Sequence, residues 1–138
     1  MMPPTIFYVD DDPTDLEIFS LAAQPLNVDL HLFLDPAKML WEIEYSAKKP
    51  EIIFTDLNMS MLSGMDIIKI LRGNHFSTPI VILTNSHNMS NVKSAMDLGA
   101  NYFITKPAKI ASLTNAVKCT LGLDWNNNLS IDDFLHKE

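Results

Sequence analysis

Residues 52–64 read Ile52-Ile53-Phe54-Thr55-Asp56-Leu57-Asn58-Met59-Ser60-Met61-Leu62-Ser63-Gly64, an apolar run that ends on a carboxylate and passes into loop residues. A run apolar at successive positions predicts a strand covered on both faces, as in a parallel sheet. An acid at the C-terminal end of such a strand predicts a site, because open α/β sheets bind ligands in the crevice outside those ends. Three other segments end in the same manner. Tyr8-Val9 leads into Asp10-Asp11-Asp12, Ile80-Val81-Ile82-Leu83 into Thr84, and Tyr102-Phe103-Ile104-Thr105 into Lys106-Pro107. Acids, a hydroxyl and an ammonium are therefore expected to meet at one sheet edge.

Outward from this stretch, apolar runs recur at about 5–9, 28–34, 51–55, 79–84 and 102–105, separated by segments of helical period. Such alternation predicts parallel strands with crossover helices on both faces. Asp12-Pro13 and Asp35-Pro36 open the first two helices, since Pro in the first turn sacrifices no intrahelical hydrogen bond. Leu16, Phe19 and Ala23 are expected on one stripe of the first, and Ala37, Leu40 and Trp41 on one stripe of the second. Later helices are expected near 64–72, 91–98 and 110–121, with Gly73, Gly99 and Gly122 as their stops. The run Val28-Asp29-Leu30-His31-Leu32-Phe33-Leu34 begins with polar residues at alternate positions, the mark of an edge strand. Placing it at the edge gives the order 2-1-3-4-5, a flavodoxin-like (βα)5 three-layer sandwich whose switch point lies between strands one and three. Asp10, Asp11 and Asp56 fall at that point.

Bulk properties narrow the function. A chain of 138 residues buries a real core in one domain, expected over 1–121, and leaves 122–138 as an extension. A formal charge of -7 opposes phosphate-backbone binding, so no direct nucleic-acid contact is expected. Cys119 is the lone cysteine, Met1-Met2-Pro3-Pro4 lacks the character of a signal peptide, and no apolar run approaches a membrane span. The expectation is a soluble cytoplasmic protein.

Taken together, Asp10-Asp11, Asp56, Thr84 and Lys106-Pro107 resemble the receiver domain of bacterial two-component response regulators, over roughly residues 5 to 121. The resemblance implies that Asp56 accepts a phosphoryl group from a sensor histidine kinase or histidine phosphotransfer protein. It further implies Mg²⁺ held by Asp11, Asp56 and the Asn58 backbone carbonyl, with Asp10 acting through water, and Thr84 and Lys106 on the phosphoryl group. Thr84 and Phe103 match the family's switch pair, and Gly64 its glycine after the acceptor loop. The Lys106-Pro107 bond is expected cis by the same resemblance. Ser60 stands where the family usually carries Pro, a departure expected to loosen that loop. The protein would then be no enzyme beyond its own phosphoryl transfer and dephosphorylation. It would signal by contacts with a downstream protein target, usually through helix four, strand five and helix five, here residues 90–119.

Resting acids would raise one another's pKa, with Mg²⁺ and Lys106 opposing them. A bland reading of Asp10-Asp11-Asp12 is a solvated helix start, which suits Asp12, and Asp15 too, better than Asp10 at the strand's end. Lys106 as a plain surface lysine fits poorly with the Pro that follows it. Phe103 as mere core packing remains open, and Asn85 and Ser86 would border the pocket mouth.

Two other functions compete. Asp10-Asp11-Asp12-Pro13-Thr14 is similar to the opening of haloacid-dehalogenase-type phosphatases, with Asp10 as nucleophile and Asp12 as acid/base. That alternative idles Asp56, and Asp132-Asp133 sits in an expected short helix rather than at a strand end. A binding module of the same fold that is never phosphorylated would lose one of the key groups, and none is lost. His31, His75, His87 and His136 are scattered, which argues against a zinc site, and Met59, Met61, Met65 and Met96 read as packing. In the extension, Leu123, Trp125, Leu129, Ile131, Phe134 and Leu135 are too apolar for a solvated tail. Ser130 and Asp133 form an expected capping box for a final short helix. Its apolar face would pack on the fifth helix or dock onto a homodimer partner or target through Trp125 or Phe134.

Overall fold

Five strands, β1 (Thr5–Val9), β2 (Asp29–Phe33), β3 (Ile52–Thr55), β4 (Ile80–Thr84) and β5 (Tyr102–Thr105), form one parallel sheet in the order β2-β1-β3-β4-β5. The structure, a computed structural model, describes residues 2–85, 88–126 and 131–137. Helices α1 (Pro13–Ala23), α2 (Pro36–Tyr45), α3 (Gly64–Gly73), α4 (Met89–Leu98) and α5 (Ile110–Leu121) alternate with the strands, and a single turn, α6 (Ile131–Phe134), follows. This is the expected flavodoxin-like architecture. β2 is an edge that pairs with β1 alone, and it is only partly buried until Phe33.

Successive residues of a strand face opposite sides of the sheet, and this divides the core. Ile6, Tyr8, Phe54, Val81 and Leu83 pack under α1 and α5 with Leu16, Phe19, Leu113 and Val117. Phe7, Val9, Ile53, Ile80 and Ile82 pack on the other side with Met39, Ile67, Leu71 and Val92. Each such side chain contributes about 1.5–3 kcal/mol on leaving water. β3 is buried at every position, which is why its sequence shows no alternation.

Register carries the functional groups into one plane. Val9 pairs with Thr55, and Thr84 with Thr105. The residues that follow therefore emerge level, and the backbone bonds Asp56 N–H to Val9 O (3.2 Å) and Lys106 N–H to Thr84 O (2.8 Å) extend the ladder past the strands.

Several local expectations are corrected. The buried face of α2 carries Pro36, Met39 and Ile43, whereas Ala37 and Trp41 are exposed and Leu40 is only partly buried. α4 begins at Met89, two residues early, because the Asn88 side chain accepts from Asn91 N–H at 2.8 Å and caps the helix there. Gly73 is the last residue of α3 rather than its stop. The chain turns at Asn74 and at His75, whose φ of 62° is left-handed without glycine. Gly99 (φ 112°) does take that conformation, whereas Gly122 (φ -101°) does not.

The extension reaches further than the fifth helix. Trp125 meets Tyr102 edge-on with ring centroids 6.4 Å apart, and Phe134 is buried against Phe103 and the α4 side of the core. Leu135 forms a parallel bridge with Phe103, His136 N–H donates to Phe103 O at 2.8 Å, and His136 Nδ1 is hydrogen-bonded to the Tyr102 hydroxyl at 2.7 Å. The tail thus crosses the β5 edge to α4, since an unpaired edge offers backbone donors and acceptors that a helix flank does not. Ser130 of the expected capping box, Leu129, Ser86 and His87 lie outside the described residues.

Candidate functional site

Asp10, Asp11 and Asp56 each offer a carboxylate oxygen, and these oxygens lie within 4.8 Å of one another. Asp10 is fully buried and richly bonded. Its Oδ2 accepts from the Tyr8 hydroxyl at 2.5 Å and from Lys106 Nζ at 2.8 Å, and its Oδ1 accepts from Asp12 N–H at 3.0 Å. Asp11, the next residue, is exposed, and its Oδ2 accepts from Ser60 N–H at 2.8 Å. This bond corrects the expectation about Ser60. A proline there would have no N–H to give, so the serine ties the loop to Asp11 rather than loosening it.

Asp56 is buried at the end of β3, and its Oδ1 accepts from Leu57 N–H at 2.7 Å. Gly64 makes the turn possible: a Cβ there would overlap the Asp56 carbonyl oxygen and stand 3.0 Å from Leu57 Cα. Ser63 and Asp66 form a capping box that starts α3 behind the loop. Thr84 and Phe103 are buried at their strand positions, Asn58 is exposed in the loop after Asp56, and Asn85 is exposed at the site's rim.

The Lys106 ammonium is 2.8 Å from Asp10 Oδ2, 2.8 Å from Asp15 Oδ2 and 3.6 Å from Asp56 Oδ2. It points inward across a trans Lys106-Pro107 bond, since no peptide bond among the described residues is cis. The expected cis bond is unnecessary here, because the lysine's four-carbon stem reaches the acids from a trans linkage.

Charges at this edge are set by burial and pairing together. Burial raises the Asp56 pKa above the ordinary carboxylate range; Lys106 opposes the rise, Asp10 adds to it, and hydrogen bonds from Thr84 and Leu57 resist it. Burial, more than repulsion among the acids, is thus the leading cause. Lys106 is pushed down by burial, but its bonds to Asp10 and Asp15 and the charges of Asp10 and Asp56 outweigh that, and its pKa is raised. Tyr8 is raised first by burial and then by its bond to Asp10, so it remains a neutral donor.

Two residues escaped the sequence reading of the site, Tyr8 and Asp15. A signal existed for each. Tyr8 lies two residues before Asp10 and so shares its direction from the strand, and Asp15 falls in the first turn of α1, three residues after the N-cap Asp12. Of the described histidines, His31 lies on β2, His75 in the turn after α3 and His136 on Tyr102.

An all-oxygen donor set on a flavodoxin-like sheet, flanked by a buried lysine and a strand-end threonine, defines a phosphoacceptor class of α/β domain. Residues 6–118 match the response regulator receiver domain, and the chain belongs to that family. It is 27% identical over 120 residues to the DNA-binding response regulator MtrA of Mycolicibacterium smegmatis, covering 87% of this chain and 51% of MtrA. It is 28% identical over 130 residues to the heme response regulator HssR of Staphylococcus saprophyticus, covering 92% of this chain and 57% of HssR. The chain thus spans about half the length of the curated relatives it matches. The receiver domain of the Francisella response regulator 1452 superposes with a TM-score of 0.74 at 25% identity, over 84% of this chain and 94% of that one. The relatives support a phosphoacceptor function in two-component signalling, and neither the phosphatase nor the unphosphorylated binding module is favoured. Receiver domains are generally not classical enzymes. No helix among the described residues is long and apolar enough to cross a membrane.

Proposed function

We propose that Asp56 accepts a phosphoryl group from a histidine kinase or a histidine phosphotransfer protein, and that the chain signals through contacts that depend on that group. The observation that carries this reading is the Asp56 carboxylate at the end of β3, set 3.6 Å from the largely buried Lys106 ammonium and with an oxygen within 4.8 Å of those of Asp10 and Asp11. An ionised Asp56 oxygen attacks phosphorus in line, the bond to the donor breaks, and the donor leaves with the electron pair. Lys106 then meets the negative charge of the transferred oxygens, and the Thr84 hydroxyl turns toward one of them while Phe103 repacks behind it.

The acids fit a hard divalent cation, because Mg²⁺ prefers oxygen ligands and retains waters. Asp11 and Asp56 would hold it with the Asn58 carbonyl. Asp10, whose oxygens already serve Tyr8, Lys106 and Asp12, would act through water. When bound, Mg²⁺ supplies positive charge to the transferring oxygens.

Residues 1–121 then form the receiver and 122–138 an extension that includes a short helix, in a cytoplasmic protein whose receiver catalyses only its own phosphoryl transfer and dephosphorylation. Acetyl phosphate with Mg²⁺ should add one phosphoryl group by mass, EDTA should block it, and Asp56→Asn should abolish it. Labelling that survives Asp56→Asn refutes the assignment.

A further inference from the structure

Lys106 has two carboxylate partners at hydrogen-bond distance, and only Asp10 belongs to the strand edge. The other, Asp15 Oδ2 at 2.8 Å, comes from the first turn of α1, with its side chain 22% exposed. An ammonium has three N–H groups. Two of them are engaged by Asp10 and Asp15, and the nitrogen stands 3.6 Å from Asp56, outside hydrogen-bond distance.

We propose that Asp15 is a positioning residue that anchors the Lys106 ammonium toward α1 and holds it off Asp56. This inference deepens the phosphoacceptor reading and rests on it. With Asp15 in place, an incoming phosphoryl group draws on an ammonium whose charge is already shared between two carboxylates. Without it, Lys106 keeps Asp10 and is free to approach Asp56. Geometry and charge then act in one direction. An anion on Asp56 is held more tightly, and a cation beside Asp56 is held less tightly, because the released ammonium repels it.

Helix capping by Asp15 does not account for the contact. The N-cap of α1 is Asp12, which accepts from Thr14 N–H at 2.9 Å, so the helix does not need Asp15 as its cap. Lys106 and Asp15 also line, with Tyr8, Phe19, Leu83 and Asn85, a cavity of about 210 Å³ on the α1 side of the site, so the two side chains meet at its wall rather than within packed core.

The test uses the full chain, Asp15→Asn, Lys106→Met and the double variant. In protein labelled at lysine, the Lys106 side-chain methylene resonance should move on Asp15→Asn in the absence of any ligand. An unchanged resonance overturns the anchor. By calorimetry, Asp15→Asn should weaken Mg²⁺ binding by about threefold to tenfold, and at saturating Mg²⁺ should tighten fluoroberyllate by a similar factor. General damage to the site would weaken both. In the Lys106→Met background the Mg²⁺ effect of Asp15→Asn should shrink to less than about twofold. An effect of equal size in both backgrounds makes Asp15 a through-space charge and overturns the positioning role. If the wild-type protein takes no fluoroberyllate, the phosphoacceptor reading fails, while the resonance and the Mg²⁺ cycle still decide whether Asp15 anchors Lys106.

Discussion

The two sides of the acid cluster are built on opposite terms. On the inner side, Tyr8, Asp10, Asp15 and Lys106 form a paired network in which a fully buried carboxylate meets three donors. On the outer side, Asp11 is exposed, with Ser60 N–H donating to it, and Asn58 is exposed beside it. The inner side must be satisfied for the chain to fold, because a buried charge without partners is costly. The outer side can leave its charge to water, and so can offer it to a ligand. Adjacent residues of one acidic run therefore do different work, Asp10 in holding the lysine and Asp11 in facing solvent.

The largest break in this comparison should come from Lys106→Met. It leaves Asp10 buried with only Tyr8 and the Asp12 N–H, and the expected loss is about 3–5 kcal/mol in urea unfolding at neutral pH. A loss under about 1 kcal/mol would mean that the inner network is not needed for folding. Asp11→Ala sharpens the contrast from the other side. Mg²⁺ affinity should fall by about a hundredfold while stability stays within about 0.5 kcal/mol. Asp12→Ala should do the reverse, costing about 1 kcal/mol as a lost helix cap with Mg²⁺ affinity unchanged. Similar Mg²⁺ losses for these two variants would erase the distinction within the acidic run.

The smallest effect is a slope with pH. Folded Asp56 binds its proton more tightly than the unfolded chain does. Its contribution to stability is therefore full below the ordinary carboxylate value and is lost as pH rises through the raised one. In metal-free buffer, the unfolding free energy of the wild type relative to Asp56→Asn should decline across that window and level off above it. A flat difference, or one that grows with pH, contradicts the burial argument.

The parts of this design visible in the sequence were those fixed by strand period and register. Asp29 and His31 revealed the edge strand by alternation, and the parallel register of Val9 with Thr55 carried Asp10 and Asp56 to one level. What stayed hidden depended on depth and on helix rotation. Asp15 reads as a helix-start acid until α1 is laid on the sheet, and Tyr8 reads as a core ring until its hydroxyl is found on Asp10. The left-handed turn at His75 has no glycine to announce it, and the gain of a donor at Ser60 shows only when Asp11 is placed opposite. The target of the tail was hidden for a related reason. An apolar segment declares that it will be buried, not against which neighbour.

That tail has a consequence for any protein that would use the β5 edge and α4. Phe134 and Leu135 already occupy it, with His136 bonded to the backbone of Phe103. Because they are tethered through the end of α5, their effective concentration at this face is on the order of millimolar. A partner free in solution at micromolar levels would compete with a resident that never diffuses away. Its apparent affinity would be lowered by the resident's occupancy, so the length and sequence of residues 122–138 set a threshold for engagement that no residue of the acid cluster determines.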